Sequence, residues 1–192
     1  MKIWKQTIII FAGFFCIALG LALMMRSGLG MGPWGALEIA IAAHTGLSVG
    51  QVVQITSLTL TLFAWLSNVT PTLTTFLHMI FVGLFMDKIL LFIPEAVDFF
   101  PSALFFLLGL FCFTFGSAQY LCINKGAGPR DGIMIGLAQK THISIRKARM
   151  SVEIVVLLIA AALRGPIGIG TIIFAVLVGP LIQFFMRLIK LL

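Results

Sequence analysis

Long apolar runs separated by short polar breaks occupy the whole chain. Several runs reach about 18 residues, the length that crosses a bilayer core of about 30 Å. Two further apolar segments, 34–44 and 130–140, are too short to span, because a helix of about eleven residues rises only ~16 Å, and we expect them to form half-helices. The longer runs predict six spans, at roughly 7–25, 49–66, 74–93, 103–121, 150–164 and 171–189.

The composition supports an integral membrane protein. The chain of 192 residues is 60% hydrophobic and 10% charged, with a mean hydropathy of +1.15, whereas a soluble domain carries about 25% charged residues. The runs are apolar on every face, so they do not alternate as the strands of a membrane β-barrel do. The first run is long and lacks a cleavage site, which favours a retained span over a signal peptide. We therefore predict an all-α membrane protein.

The chain also repeats itself at an offset of 96 residues. Glycine, proline, serine and threonine recur at this spacing, and such matches arise less readily by chance in an apolar chain than matches of leucine. The alternative is convergent membrane composition, but the pattern favours a duplication with units 1–96 and 97–192. The matched residues include Gly13, Cys16, Gly20, Gly30, Gly32, Pro33, Thr45, Ser48, Thr75 and Gly83, which fall on Gly109, Cys112, Gly116, Gly126, Gly128, Pro129, Thr141, Ser144, Thr171 and Gly179.

Three spans per unit would invert the second unit relative to the first, and the charges agree. Segment 122–149 holds six of the thirteen basic residues, whereas its counterpart 26–53 holds only Arg26. By the positive-inside rule the basic segment is cytoplasmic and its counterpart is outside, which places both termini in the cytoplasm. We thus predict a 3+3 inverted repeat. The net charge of +7 reflects this topology and indicates no nucleic-acid partner.

A Gly-Pro break precedes each predicted half-helix, in "GLGMGPWG" (28–35) and "KGAGPRDG" (125–132). Proline is tolerated in the first turn of a helix, and the new helix exposes free N–H groups and the positive end of its dipole. Paired discontinuous helices indicate a substrate site in a transporter; the alternative is a tight turn into an interfacial helix. The candidate substrate-binding residues are Gly32, Pro33, Trp34, Glu38, Gly128, Pro129, Arg130 and Asp131.

Four polar residues inside or near the spans are candidates for ion coupling, because a charge at mid-bilayer is costly. Arg149 and Glu153 are four residues apart and can pair on one helix face. Asp87 and Gln183 occupy equivalent positions of the two units. The alternatives are a structural ion pair for the first two and an interfacial charge for Asp87. The three cysteines lack metal-ligand spacing, so we predict no metal or cofactor.

Several stretches resemble a known family. "GLGMGPWGALEIAIAAHTGLSVGQV", "GAGPRDGIMIGL", "RMSVEIVVL" and "GIGTIIFAVLVGPLIQ" are similar to segments of the YczE/YyaS/YitT family of bacterial integral membrane proteins, nearest to its YczE-like branch. The resemblance covers nearly the whole chain and implies a protein of the bacterial cytoplasmic membrane. That branch usually has GPWD in the first unit, where this chain has Gly35, while Asp131 remains in the second.

These features favour a small secondary transporter that works by alternating access between the two units. We expect a small, anionic solute drawn to Arg130 and the half-helix starts, with a proton or a cation as the coupling ion; a neutral or cationic solute stays open, as does a homo-oligomer. One alternative is an accessory or scaffold protein that acts through a partner in the bilayer. The chain lacks the motifs of an intramembrane enzyme, so we predict no enzymatic activity.

Overall fold

The computed structural model describes residues 3–123 and 128–191, and all regular structure in these ranges is helical. Lys125 and Gly126 of the second Gly-Pro break lie outside them. Both short segments are confirmed as helices, each 13 residues long. The helices are α1 (Ile3–Ser27), α2 (Pro33–Thr45), α3 (Val49–Trp65), α4 (Leu73–Leu90), α5 (Phe99–Ile123), α6 (Pro129–Thr141), α7 (Ile145–Ala162) and α8 (Ile169–Leu191).

Four helices in the described ranges, α1, α4, α5 and α8, are long and apolar enough to cross a membrane. A fifth span is counted if α2 and α3, which bend by 116° at their junction, are taken together. The remaining predicted spans do not meet this test. With 17 residues, α3 rises only about 26 Å, and the first half of α7 carries Arg146, Lys147, Arg149 and Glu153.

Local sequence explains where the helices begin and end. Ser48 and Gln51 form a capping box at the start of α3. The Ser144 hydroxyl accepts the Lys147 N–H and starts α7 at Ile145, five residues before the predicted boundary. Both half-helices begin with proline and end at a left-handed residue, which is Gly46 (φ 73°) after α2 and His142 (φ 56°) after α6.

The centre of the fold is an antiparallel crossing of α1 and α5 through glycines. A Cβ on Gly20 would lie 2.5 Å from the Gly109 carbonyl oxygen, and a Cβ on Gly116 would lie 2.5 Å from that of Gly13. Because glycine lacks a side chain, the two backbones can touch at both points. These four glycines therefore form a packing face between the two helices. Around the crossing, α4 packs on α1 and α8 packs on α5.

The bundle has two ends with different charge. At the Glu95 end, Arg26 donates to the Glu95 carboxylate at 2.7 Å and to the Leu90 carbonyl at 2.9 Å, which joins α1 to the α4–α5 loop. At the basic end, the Lys140 ammonium donates to the Leu66 carbonyl at 3.3 Å, which joins α6 to the end of α3. The basic end carries Lys5, Lys140, Arg146, Lys147, Arg149, Arg187 and Lys190.

Candidate functional site

A central cavity of about 250 Å³ lies between the starts of the two half-helices. Helices α1, α3, α4, α5, α7 and α8 complete its walls. Of the twelve candidate residues, all but Glu38 and Asp87 line it. The candidates that line it are Gly32, Pro33, Trp34, Gly128, Pro129, Arg130, Asp131, Arg149, Glu153 and Gln183.

Both half-helices present their first turn to this cavity. The first hydrogen bonds along each helix run from the Ala36 N–H to the Gly32 carbonyl and from the Gly132 N–H to the Gly128 carbonyl. The N–H groups that precede them belong to the first turn, which has no acceptor within its own helix. Glycine stands at both N-cap positions, so neither cap supplies a side-chain acceptor. The cavity thus lies at the positive ends of two helix dipoles.

The ion pair between Arg130 and Glu38 joins the two halves of the chain behind this cavity. An Arg130 Nη2–H donates to both Glu38 carboxylate oxygens, at 2.7 and 3.0 Å. Glu38 is only 2% exposed and also accepts a hydrogen bond of 3.0 Å from the Thr56 hydroxyl. The Arg130 guanidinium lies 5.6 Å from the centre of the Trp34 ring, within cation–π range. Arg130 therefore borders the cavity with its charge already paired, and Glu38 holds it there.

Asp131 follows Arg130 in the first turn of α6 and lines the cavity. Its carboxylate is hydrogen-bonded by the Gly128 backbone and lies within electrostatic reach of Arg130 and Arg149. The Gly128 contact resembles the reciprocal half of a capping box. The same carboxylate is in place to act on the first turn of α6 and on the contents of the cavity.

The predicted pair of Arg149 and Glu153 is confirmed on α7. The Arg149 Nε–H donates to the Glu153 carboxylate at 2.9 Å, and both side chains remain partly exposed on the cavity wall. In contrast to the pair of Arg130 and Glu38, in which Glu38 is buried, neither member of this pair is buried.

Asp87 lies away from the cavity, although its counterpart Gln183 lines it. The Asp87 carboxylate accepts a hydrogen bond of 2.5 Å from the Ser48 hydroxyl and one of 2.7 Å from the Gly50 N–H. Both bonds join α4 to the start of α3 near the Glu95 end. Asp87 and Gln183 therefore occupy different surroundings despite their equivalent positions in sequence.

Sequence reasoning missed several residues of the cavity wall. Ser57 on α3 stands 96 residues before Glu153, so the repeat itself could have found it. Ser117 and Tyr120 on α5 carried no comparable signal. His78 also lines the wall, with its ring 5.2 Å from that of Phe14. Within residues 3–123 and 128–191, no three His, Cys, Asp or Glu side chains converge on a position that could hold a metal ion.

Known proteins place the chain in a family. The model of the family of unknown function DUF6198 matches residues 4–187. An uncharacterized protein of Haemophilus influenzae is 35% identical over 186 residues, which cover 97% of this chain and 85% of that protein. The uncharacterized membrane protein YczE of Bacillus subtilis is 32% identical over 176 residues, covering 91% and 82%.

A more distant relative is the uncharacterized protein YyaS of Bacillus subtilis, 28% identical over 182 residues that cover 93% of this chain and 90% of that protein. No solved structure matches the chain. The predicted resemblance to YczE and YyaS is thus confirmed, and the chain belongs to the DUF6198 family of helical membrane proteins.

Proposed function

We propose that this protein is a small secondary transporter whose central cavity binds one small solute. The observation that carries the proposal is the convergence of two half-helices, one from each half of the chain, on the same cavity. Discontinuous helices that start inside the bilayer present unpaired backbone groups to a solute or an ion. An ion pair 92 residues apart in sequence ties these two starts together.

Pairs of backbone features at the offset of 96 support an inverted repeat with units 1–96 and 97–192. The contact of Gly13 with Gly116 has its counterpart in the contact of Gly109 with Gly20, as a twofold relation between α1 and α5 requires. The left-handed residues also recur at this offset, with Gly46 and His142 as one pair and Asn68 and Arg164 as another.

The charge of the two ends supports an orientation for the proposed transporter. Bases cluster at the basic end, whereas Glu95 and Asp98 lie at the other end. The positive-inside rule then favours a basic end in the cytoplasm. We infer that both termini are cytoplasmic and that the protein resides in the cytoplasmic membrane of a bacterium.

The walls of the cavity favour a solute with an anionic group, such as a carboxylate. Two half-helix starts contribute partial positive charge. Arg130 and Arg149 line the same cavity, although each already pairs with a carboxylate, Glu38 and Glu153 respectively. Asp131 and Glu153 lie beside them and are placed to carry a proton or to contact a coupling cation. The volume of about 250 Å³ fits a small solute. This role needs no cofactor and no enzymatic step.

The test is solute binding and flux with the purified protein in proteoliposomes. Thermal-shift screening of small carboxylates, amines and neutral polyols would identify a stabilising class, and uptake of a labelled member would then be measured with and without a proton gradient. We expect saturable uptake of a carboxylate, reduced in Arg149→Gln. The matched control is Lys147→Gln, because Lys147 is an exposed base of the same helix outside the cavity.

Absence of binding and flux for all three classes would contradict the proposal. The accessory-protein alternative predicts that result, together with loss of a partner's activity when the gene is deleted. Uptake confined to amines or polyols would support the transport function and contradict the anionic solute.

A further inference from the structure

Two pairs of helices that are equivalent at the offset of 96 differ sharply in their packing. The first seam is the contact between α3 and α4, and the second seam is the space between α7 and α8. In an exact repeat the two seams would be alike. Both seams border the central cavity, but in this structure the first is sealed by backbone contact and the second is open.

The first seam is closed by backbone contact and by hydrogen bonds. A Cβ on Gly83 would lie 2.5 Å from the Gly50 carbonyl oxygen, so α3 and α4 touch at a pair of glycines. Asp87 fixes this contact through the Ser48 hydroxyl and the Gly50 N–H. One turn further, the Gln54 amide donates to the Ile80 carbonyl at 3.0 Å. No space for a solute remains at this point.

The second seam lacks these contacts. A Cβ on Gly179, the counterpart of Gly83, would meet no atom within 4 Å. Gly179 and Gln183 line the cavity instead, and Gln183 is exposed. Among the hydrogen bonds of the described residues, none joins α7 to α8. A glycine inside a helix weakens it relative to alanine, and nothing packed against Gly179 in this state offsets that cost.

We propose that the two seams are the two gates of the transport path and that the structure shows the first gate closed and the second open. This inference rests on the proposed function. Asp87 holds the first gate shut toward the Glu95 end. The cavity is reached from the basic end, past Arg149 and Glu153. When the second gate closes, α7 packs against the bare backbone at Gly179, with Arg146 in the place that Gly50 takes in the first gate.

The sidedness of cavity access tests the first gate and needs neither a solute nor flux. Ser117 lines the cavity on α5 and is half-buried, and Ser117→Cys changes one atom. In a background with the three natural cysteines replaced by alanine, this thiol would be probed with a membrane-impermeant maleimide added to either side. We expect labelling from the side of the basic end and little from the side of the Glu95 end.

Removing the Asp87 hydrogen bonds should open the first gate, which faces the Glu95 end. Asp87→Ala deletes both hydrogen bonds to α3, and we expect it to raise labelling from the Glu95 side by about tenfold or more. Lys88→Ala, an exposed neighbour on the same helix, is the matched control and should change nothing. Should Asp87→Ala fail to fold, Ser48→Ala removes one of the two bonds and should give a smaller increase. Equal labelling from both sides in the parent, or no response to either variant, would overturn the proposal.

Gly179 tests the second gate in transport. Gly179→Leu should leave the thermal midpoint close to that of the parent, because its side chain enters open space in this state. It should nevertheless block uptake, because α7 can no longer close. Normal uptake by Gly179→Leu would contradict the proposal that the second seam is a gate, but it would not contradict the proposed transport function. Absence of uptake in the parent, with sided labelling intact, would instead contradict the transporter.

Discussion

The two half-helices share one backbone design and differ in chemistry. Both follow a Gly-Pro break, both contain 13 residues, and both end at a left-handed residue. Where α2 has Trp34 and Gly35, α6 has Arg130 and Asp131. Yet the buried counter-ion of Arg130 lies on α2, at Glu38, and the residue equivalent to Glu38 on α6 is Met134. The charges of the site are therefore divided between halves, and neither half forms it alone.

The largest effect should follow from disturbing the glycine crossing of α1 and α5, to which both halves contribute. Gly116→Leu and its counterpart Gly20→Leu would force a side chain into the backbone of the facing helix, and we expect neither variant to yield folded protein. Gly179→Leu is the matched control on α8 and should be produced at the level of the parent. Size-exclusion profiles in detergent measure this. A monodisperse Gly116→Leu protein that melts like the parent would show that folding does not require the close contact between α1 and α5.

The next effect concerns the ion pair that the halves divide between them. Arg130→Ala would leave Glu38 buried and unpaired, and we expect a loss of roughly 3–5 kcal/mol in the free energy of unfolding. The double variant Arg130→Ala/Glu38→Gln should recover much of this loss, because the orphaned charge is gone. Thermal unfolding of the four proteins in a double-mutant cycle gives the coupling energy. Additive effects would mean that the two residues act independently.

The exposed pair on α7 should matter less to stability. Arg149 and Glu153 remain 44% and 30% exposed, so water screens their attraction. We expect Arg149→Ala to change the free energy of unfolding by less than about 1 kcal/mol. A loss as large as that of Arg130→Ala would show that the second seam depends on this pair for its structure.

The sequence predicted the breaks and both half-helices because their signals are local. A proline favoured in the first turn of a helix, followed by a segment of about eleven residues that is too short to span, predicts a half-helix without reference to the rest of the chain. The pair of Arg149 and Glu153 was predictable for the same reason. The pair of Arg130 and Glu38 was not, because it depends on how two half-helices meet across 92 residues.

The difference in packing between the two seams also could not be predicted from the sequence. Ser48 and Asp87 have Ser144 and Gln183 as counterparts, so composition alone suggests two similar contacts. Packing decides which seam closes, and Gly50 has Arg146 as its counterpart, which prevents the second seam from closing in an identical way. Of the six spans that length and composition predict, α3 and α7 do not meet the length and hydropathy test on their own, because α3 is short and α7 begins with charged residues.

Orientation can be tested without any effect on stability. Val97 is 93% exposed in the α4–α5 loop, and Gln139 is exposed near the end of α6. In the cysteine-free background, we expect Val97→Cys to react with an impermeant maleimide in intact cells and Gln139→Cys to react only after lysis. Reaction of both in intact cells would contradict the assignment of opposite sides to the two ends.

The most direct test of the account is solute uptake by Asp131→Asn at matched protein levels in proteoliposomes. Asparagine keeps the size of aspartate and is a comparable helix cap, so the variant should fold and melt like the parent. If Asp131 serves the solute or its coupling ion, gradient-dependent uptake should be abolished while the thermal midpoint stays unchanged. Uptake equal to that of the parent would show that Asp131 only caps α6, and would contradict its role in contacting the solute or the coupling ion.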